Sequence, residues 1–113
     1  MQPLVDALRA AFASAMASGE IDVTHDAEAD EVEVQADDWT LYIAGWPPTA
    51  AWFALDDDPV SDAEQREALR VALSRGGLAA LRDADARLDG ALATTLAASG
   101  DPLSMTLASR LRE

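Results

Sequence analysis

Asp26-Ala27-Glu28-Ala29-Asp30 sets carboxylates at the first, third and fifth positions of a run, the spacing with which a calcium-binding loop opens. The rest of the loop departs from that chemistry. Its sixth position, where such loops need glycine, is Glu31, and its twelfth, where they need a bidentate glutamate, is Asp37. A solvated acidic loop is therefore expected from His25 to Asp30. Asp56, Asp57 and Asp58 are weaker as a ligand set, because consecutive side chains diverge, and they read as a turn leading into a helix. His25 is the only imidazole, flanked by Thr24 and Asp26, and no sequence motif marks a nucleophile for it to activate. With no cysteine there is no thiolate ligand, disulfide or cysteine nucleophile. The expectation is a non-enzymatic chain with no catalytic residues, no metal site and no cofactor.

A second set of residues has the chemistry of contact. Tyr42, Trp46 and Trp52 offer large rigid apolar surface, and Glu31, Glu33, Asp37 and Asp38 lie close by in sequence. Aromatic rings supply buried area at small entropic cost, while carboxylates around them steer and select a partner bearing arginine or lysine. These seven residues are the candidate partner-binding set.

The charge distribution sharpens that expectation. Acids outnumber bases 21 to 8, for a net charge of -13, and between Arg9 and Arg66 there are fourteen carboxylates and no lysine or arginine. Residues 66 to 113 hold seven arginines against six acids. The chain has no lysine, no asparagine and 25 alanines, the signature of a GC-rich coding bias, and such a bias enriches acid without any selected surface. A bias acting on the whole chain would have acidified the second half too. Direct nucleic-acid binding is set aside, since a phosphate backbone requires cations where this half presents anions.

The contact residues need a sheet to hold them. Glu31 to Ala36 and Trp39 to Ala44 flank a two-residue Asp37-Asp38 turn, which pairs Val34 with Leu41 and Val32 with Ile43 on one face. The other face then receives Glu33 opposite Tyr42 and Gln35 opposite Thr40, with Glu31 and Trp46 following by parity. Pro47-Pro48 ends that strand. Ala50 to Leu55 forms the next, with Phe53 and Leu55 on one face and Trp52 on the other; if Phe53 and Leu55 point inward, Trp52 joins Tyr42 and Trp46 outside. Glu20 to Thr24 alternates as a short first strand, completing a four-stranded antiparallel meander over 20–55.

Helices flank this sheet. Leu4, Val5, Leu8, Phe12, Ala15 and Met16 form one stripe over 3–18, closed by Gly19 as a left-handed cap. Ser61-Asp62-Ala63-Glu64 is a capping box opening a helix over 61–75, Leu78 to Leu96 carries a stripe through 77–98, and Asp101-Pro102 starts a helix over 102–112. The expected fold is α+β in one domain of 1–113: an N-terminal helix, the meander, then three C-terminal helices packed on the sheet. Four helices are enough to cover both sheet faces, which would bury the aromatic set as core. No run of about 20 apolar residues and no signal-like N-terminus is present, so a cytoplasmic chain without membrane association is expected.

Over residues 3–75 the order of helix, antiparallel meander and helix resembles the type III secretion chaperones and the YbjN-like adaptors. That resemblance implies action by binding other proteins. After Gly77 those proteins return to strands, whereas this chain reads as helix.

The expected function is an acidic protein-binding module, an adaptor, chaperone or immunity-type inhibitor, engaging a basic protein through the acidic, aromatic sheet face. Two alternatives stand beside it. One is a DNA mimic whose carboxylates occupy the groove of a nucleic-acid-binding protein, and the other is a structural homodimer or higher oligomer built on the sheet face or on the leucine stripe.

Overall fold

The computed structural model describes residues 2–55, 61–73 and 76–113, with backbone only at 62, 65 and 72. The expected Asp56-Asp57-Asp58 turn and the end of the helix predicted to reach residue 75 lie outside the described residues. Two short helices, α1 (Gln2–Ala11) and α2 (Ala13–Ser18), precede four strands, β1 (Ile21–Asp26), β2 (Glu31–Ala36), β3 (Trp39–Ala44) and β4 (Ala50–Leu55). Helices α3 (Asp62–Ala72), α4 (Gly77–Arg87), α5 (Ala91–Ala97) and α6 (Pro102–Leu111) follow. The strands pair antiparallel in the order β1-β2-β3-β4, so the fold is the expected α+β meander between helical ends.

The register is the one that the two-residue turn dictates: Val32 pairs with Ile43, Glu33 with Tyr42, Val34 with Leu41 and Gln35 with Thr40. Strand alternation then sends Val23, Val32, Val34, Trp39, Leu41, Ile43, Ala51 and Phe53 to one face, where all are buried. Helices α1 and α2 pack against β1 at one side of the sheet, α5 and α6 against β4 at the other, and α4 joins α1 to α5 and α6. Trp39 anchors this core, 2 % exposed, with its ring 6.3 Å from Phe12 and 5.3 Å from Phe53.

Several boundaries move for physical reasons. The first helical stripe breaks at Phe12, whose backbone leaves the helix (φ −101°, ψ 16°), and α2 ends at Gly19 in the left-handed conformation. There the N–H groups of Gly19 and Glu20 return to the Met16 and Ala15 carbonyls, the double bond of a Schellman cap. The stripe expected to run through 77–98 is two helices: Asp89 and Gly90 both adopt positive φ (56° and 80°), and the buried Asp85 carboxylate accepts the Ala93 N–H at 2.9 Å. β1 extends to Asp26, so His25 belongs to a strand rather than a loop, although it is exposed. The caps of α3 and α6 are as the sequence predicts, Ser61 Oγ accepting from the Glu64 N–H and Asp101 from the Ser104 N–H.

The β4 edge is closed by α6. Phe53 N–H donates to the buried Ser104 Oγ at 2.9 Å, and the Ser104 hydroxyl donates to Asp101 Oδ2 at 2.6 Å. A strand edge that would otherwise leave a buried donor unmet is satisfied by a side chain 51 residues away.

Candidate interaction face

Alternation that buries one sheet face turns the other outward, where most side chains stay at least partly exposed. Three rows of side chains cross all four strands on this outer side. The middle row runs Thr24, Glu33, Tyr42, Trp52; one flanking row runs Asp22, Gln35, Thr40, Ala54 and the other Asp26, Glu31, Ala44, Ala50. Asp22, Thr24, Asp26, Gln35 and Ala50 are exposed, Glu31, Glu33 and Tyr42 half-buried, and Trp52 is 40 % exposed. Thr40 is the exception, buried within its row.

The face is divided. The β1–β2 side carries the carboxylates of Asp22, Asp26, Glu31 and Glu33, while the β3–β4 side carries Tyr42, Trp52 and the small side chains of Ala44, Ala50 and Ala54. Tyr42 and Trp52 are cross-strand partners whose rings stack with centroids 4.9 Å apart and planes 18° from parallel. Stacking of this kind fixes both rings against each other, so they present a rigid surface. Glu33 stands directly across from Tyr42, which places a carboxylate beside the ring stack.

The candidate residues are not all brought together. Glu31, Glu33, Tyr42 and Trp52 share the outer face, as parity predicts. Trp46 does not continue that row: β3 ends at Ala44, and Gly45 with positive φ turns the chain into a cis Trp46–Pro47 peptide. Trp46 is half-buried and packs against the core. Thr49 secures the turn, its N–H and its hydroxyl both donating to the Ala44 carbonyl at 2.8 and 3.1 Å. Asp37 and Asp38 are exposed at the tip of the β2–β3 hairpin, about 13 Å along the strand from Tyr42. They border a different feature, a cleft of about 440 Å³ between α2, the start of β1, the hairpin tip and the start of α4, which Glu20 and Ile21 also line. Asp22, Thr24 and Asp26 join the face although they were not among the candidates. The alternation of Ile21 and Val23 with Asp22 and Thr24 carries that signal.

The electrostatics follow the sequence asymmetry. Arg70 pairs with Glu67, Arg82 with Glu113 and Arg87 with Asp83, all in the helical half, and the Arg82 guanidinium also donates to the Arg110 carbonyl. The hydrogen bond from Arg70 and its charge hold the Glu67 carboxyl below the usual glutamate value. Among the described residues no cation meets the carboxylates of Asp22, Asp26, Glu31 or Glu33. The Asp26 carboxylate is turned to local structure, accepting the Glu28 and Ala29 N–H groups at 3.1 and 3.2 Å, so the run Asp26 to Asp30 forms a tight β1–β2 turn. Among the described residues no three histidine or acidic side chains gather around a common point, and no helix is long and apolar enough to cross a membrane.

No protein-family model, curated protein or solved structure matches this chain.

Proposed function

We propose that this protein acts by binding, as an adaptor, chaperone or immunity-type inhibitor, and that it engages a basic protein through the outer face of its sheet. The observation that carries this is the middle row: a stack of half-buried Tyr42 on exposed Trp52 with Glu33 alongside, on a sheet face whose other half is acidic and meets no cation among the described residues. A face meant only for solvent has little use for a Trp exposed to this degree. A core face would not leave carboxylates without a cation. Apolar anchor and charge selection are adjacent, which is the arrangement found where a few central residues dominate binding and surrounding charges steer the encounter.

The test is comparative capture from lysate of the source cell, with wild-type protein, a Tyr42→Ala/Trp52→Ala double variant and Glu33→Gln as baits. A basic protein retained by the wild type and lost from the double variant, with the circular dichroism unchanged, supports the assignment. Equal retention by all three baits contradicts it.

A second reading has one specific observation in its favour. Asp22, Asp26, Glu31 and Glu33 sit on neighbouring strands of one face, a regular array of anions of the sort that a DNA mimic requires. Charge would then dominate. Neutralising those four residues would abolish binding, and affinity would fall steeply with salt, whereas an aromatic-anchored contact loses mainly association rate. A homo-oligomer built on the same face predicts a size that grows with protein concentration in light scattering.

A further inference from the structure

We infer that the middle row discriminates arginine from lysine, seating a guanidinium on the Tyr42–Trp52 stack while Glu33 accepts its N–H groups. This rests on the outer face being the contact surface and names the side chain it reads. Three features of the row lead there. Glu33 and Tyr42 are direct cross-strand partners, and Tyr42 and Trp52 are the next pair along the same line, so carboxylate and rings are consecutive within a span of three strands. At about 4.8 Å per strand, Glu33 and Tyr42 stand one strand spacing apart, so a single guanidinium reaches both. The rings are fixed in a near-parallel stack that occupies one face of each, and a planar, weakly hydrated guanidinium lies flat against a ring's other face with its edge N–H groups free for a carboxylate. Ala44, Ala50 and Ala54 surround Trp52 with short side chains, so a cation approaching the rings must shed water over an apolar patch. A compact, strongly hydrated ammonium sheds it at greater cost.

The other carboxylates do not discriminate. Asp22, Asp26 and Glu31 attract either cation through long-range charge, so they set the overall affinity for basic segments and its dependence on salt. Selectivity between the two cations belongs to Glu33, Tyr42 and Trp52.

Two synthetic peptides decide the point, acetyl-Arg-Ala-Arg-Ala-Arg-Ala-Arg-amide and its all-lysine counterpart, each titrated into the isotopically labelled full chain at physiological salt. Binding is read from the Trp52 indole N–H and the Glu33 and Tyr42 amide resonances. The arginine peptide should bind about fivefold more tightly and shift these signals. A Tyr42→Leu/Trp52→Leu variant keeps both positions apolar, removes the ring faces and should bring the two peptides to equal affinity. Equal affinity of both peptides for the wild type, with the shifts on this row, overturns the arginine preference and leaves the contact face standing. Shifts confined to the hairpin tip, or none at all, overturn both. An arginine preference that survives in the Leu/Leu variant also overturns the assignment to the rings.

Discussion

Trp39, Tyr42, Trp46 and Trp52 occupy three distinct environments, and each environment sets a different expectation. Trp39 lies between Phe12 and Phe53 in the core, and Trp39→Ala should cost about 3–5 kcal/mol of stability. Tyr42 and Trp52 stack on the outside, so their joint replacement by alanine should lower stability by only about 1 kcal/mol while abolishing partner binding. Denaturant melts of both variants, compared with capture assays, check the two expectations together. Trp46 packs against the core from the β3–β4 turn, so Trp46→Ala should destabilise more than the Trp52 substitution. Parity along β3 cannot reach Trp46, because the alternation that assigns faces ends where Gly45 turns the chain. For Tyr42 and Trp52 the same alternation holds, and their placement was legible in the sequence.

At the scale of elements, local signals were legible and distant closures were not. The Asp37-Asp38 turn fixes the β2–β3 register, and period-two apolarity fixes which face is buried, so both follow from residues within one hairpin. The break between α4 and α5 is less visible, since Leu81, Ala84, Leu88, Leu92 and Leu96 form one continuous apolar stripe across it. Asp89-Gly90 is the local cue. Gly90 has φ 80° with open space where a Cβ would stand, so Gly90→Ala should cost about 1–2 kcal/mol through backbone conformation alone, measured by thermal unfolding. The closure of β4 by Ser104 is a contact between residues 51 apart, and no local pattern announces it. Ser104→Ala leaves the Phe53 N–H without its acceptor, and a loss of about 1–3 kcal/mol is expected, with faster hydrogen exchange at Phe53 as the specific sign.

Across the whole molecule, the segregation of charge couples fold to environment. A net charge of -13 with the excess in residues 10–65 makes the sheet half repel itself, whereas in the helical half Arg70, Arg82 and Arg87 pair with carboxylates. Raising salt from about 10 mM to 150 mM shortens the screening length from about 30 Å to about 8 Å, so the melting temperature should rise. Partner association should slow over the same range. These opposite responses, followed by calorimetry and stopped-flow mixing, distinguish a surface kept acidic for steering from one that plays no part in binding. Among the described residues the helices pack mainly on β1 and β4, and the outer face keeps its acidic side chains and Trp52 accessible, which the proposed contact surface requires.

The most direct test is radical footprinting of the protein with and without its captured partner, read residue by residue by mass spectrometry. Trp52 and Tyr42 should lose most of their oxidation on complex formation, while Met105, exposed on α6, should be unchanged. Protection of Met105 with Trp52 and Tyr42 still fully reactive would place the interface on the helical side and contradict the assignment of the sheet face.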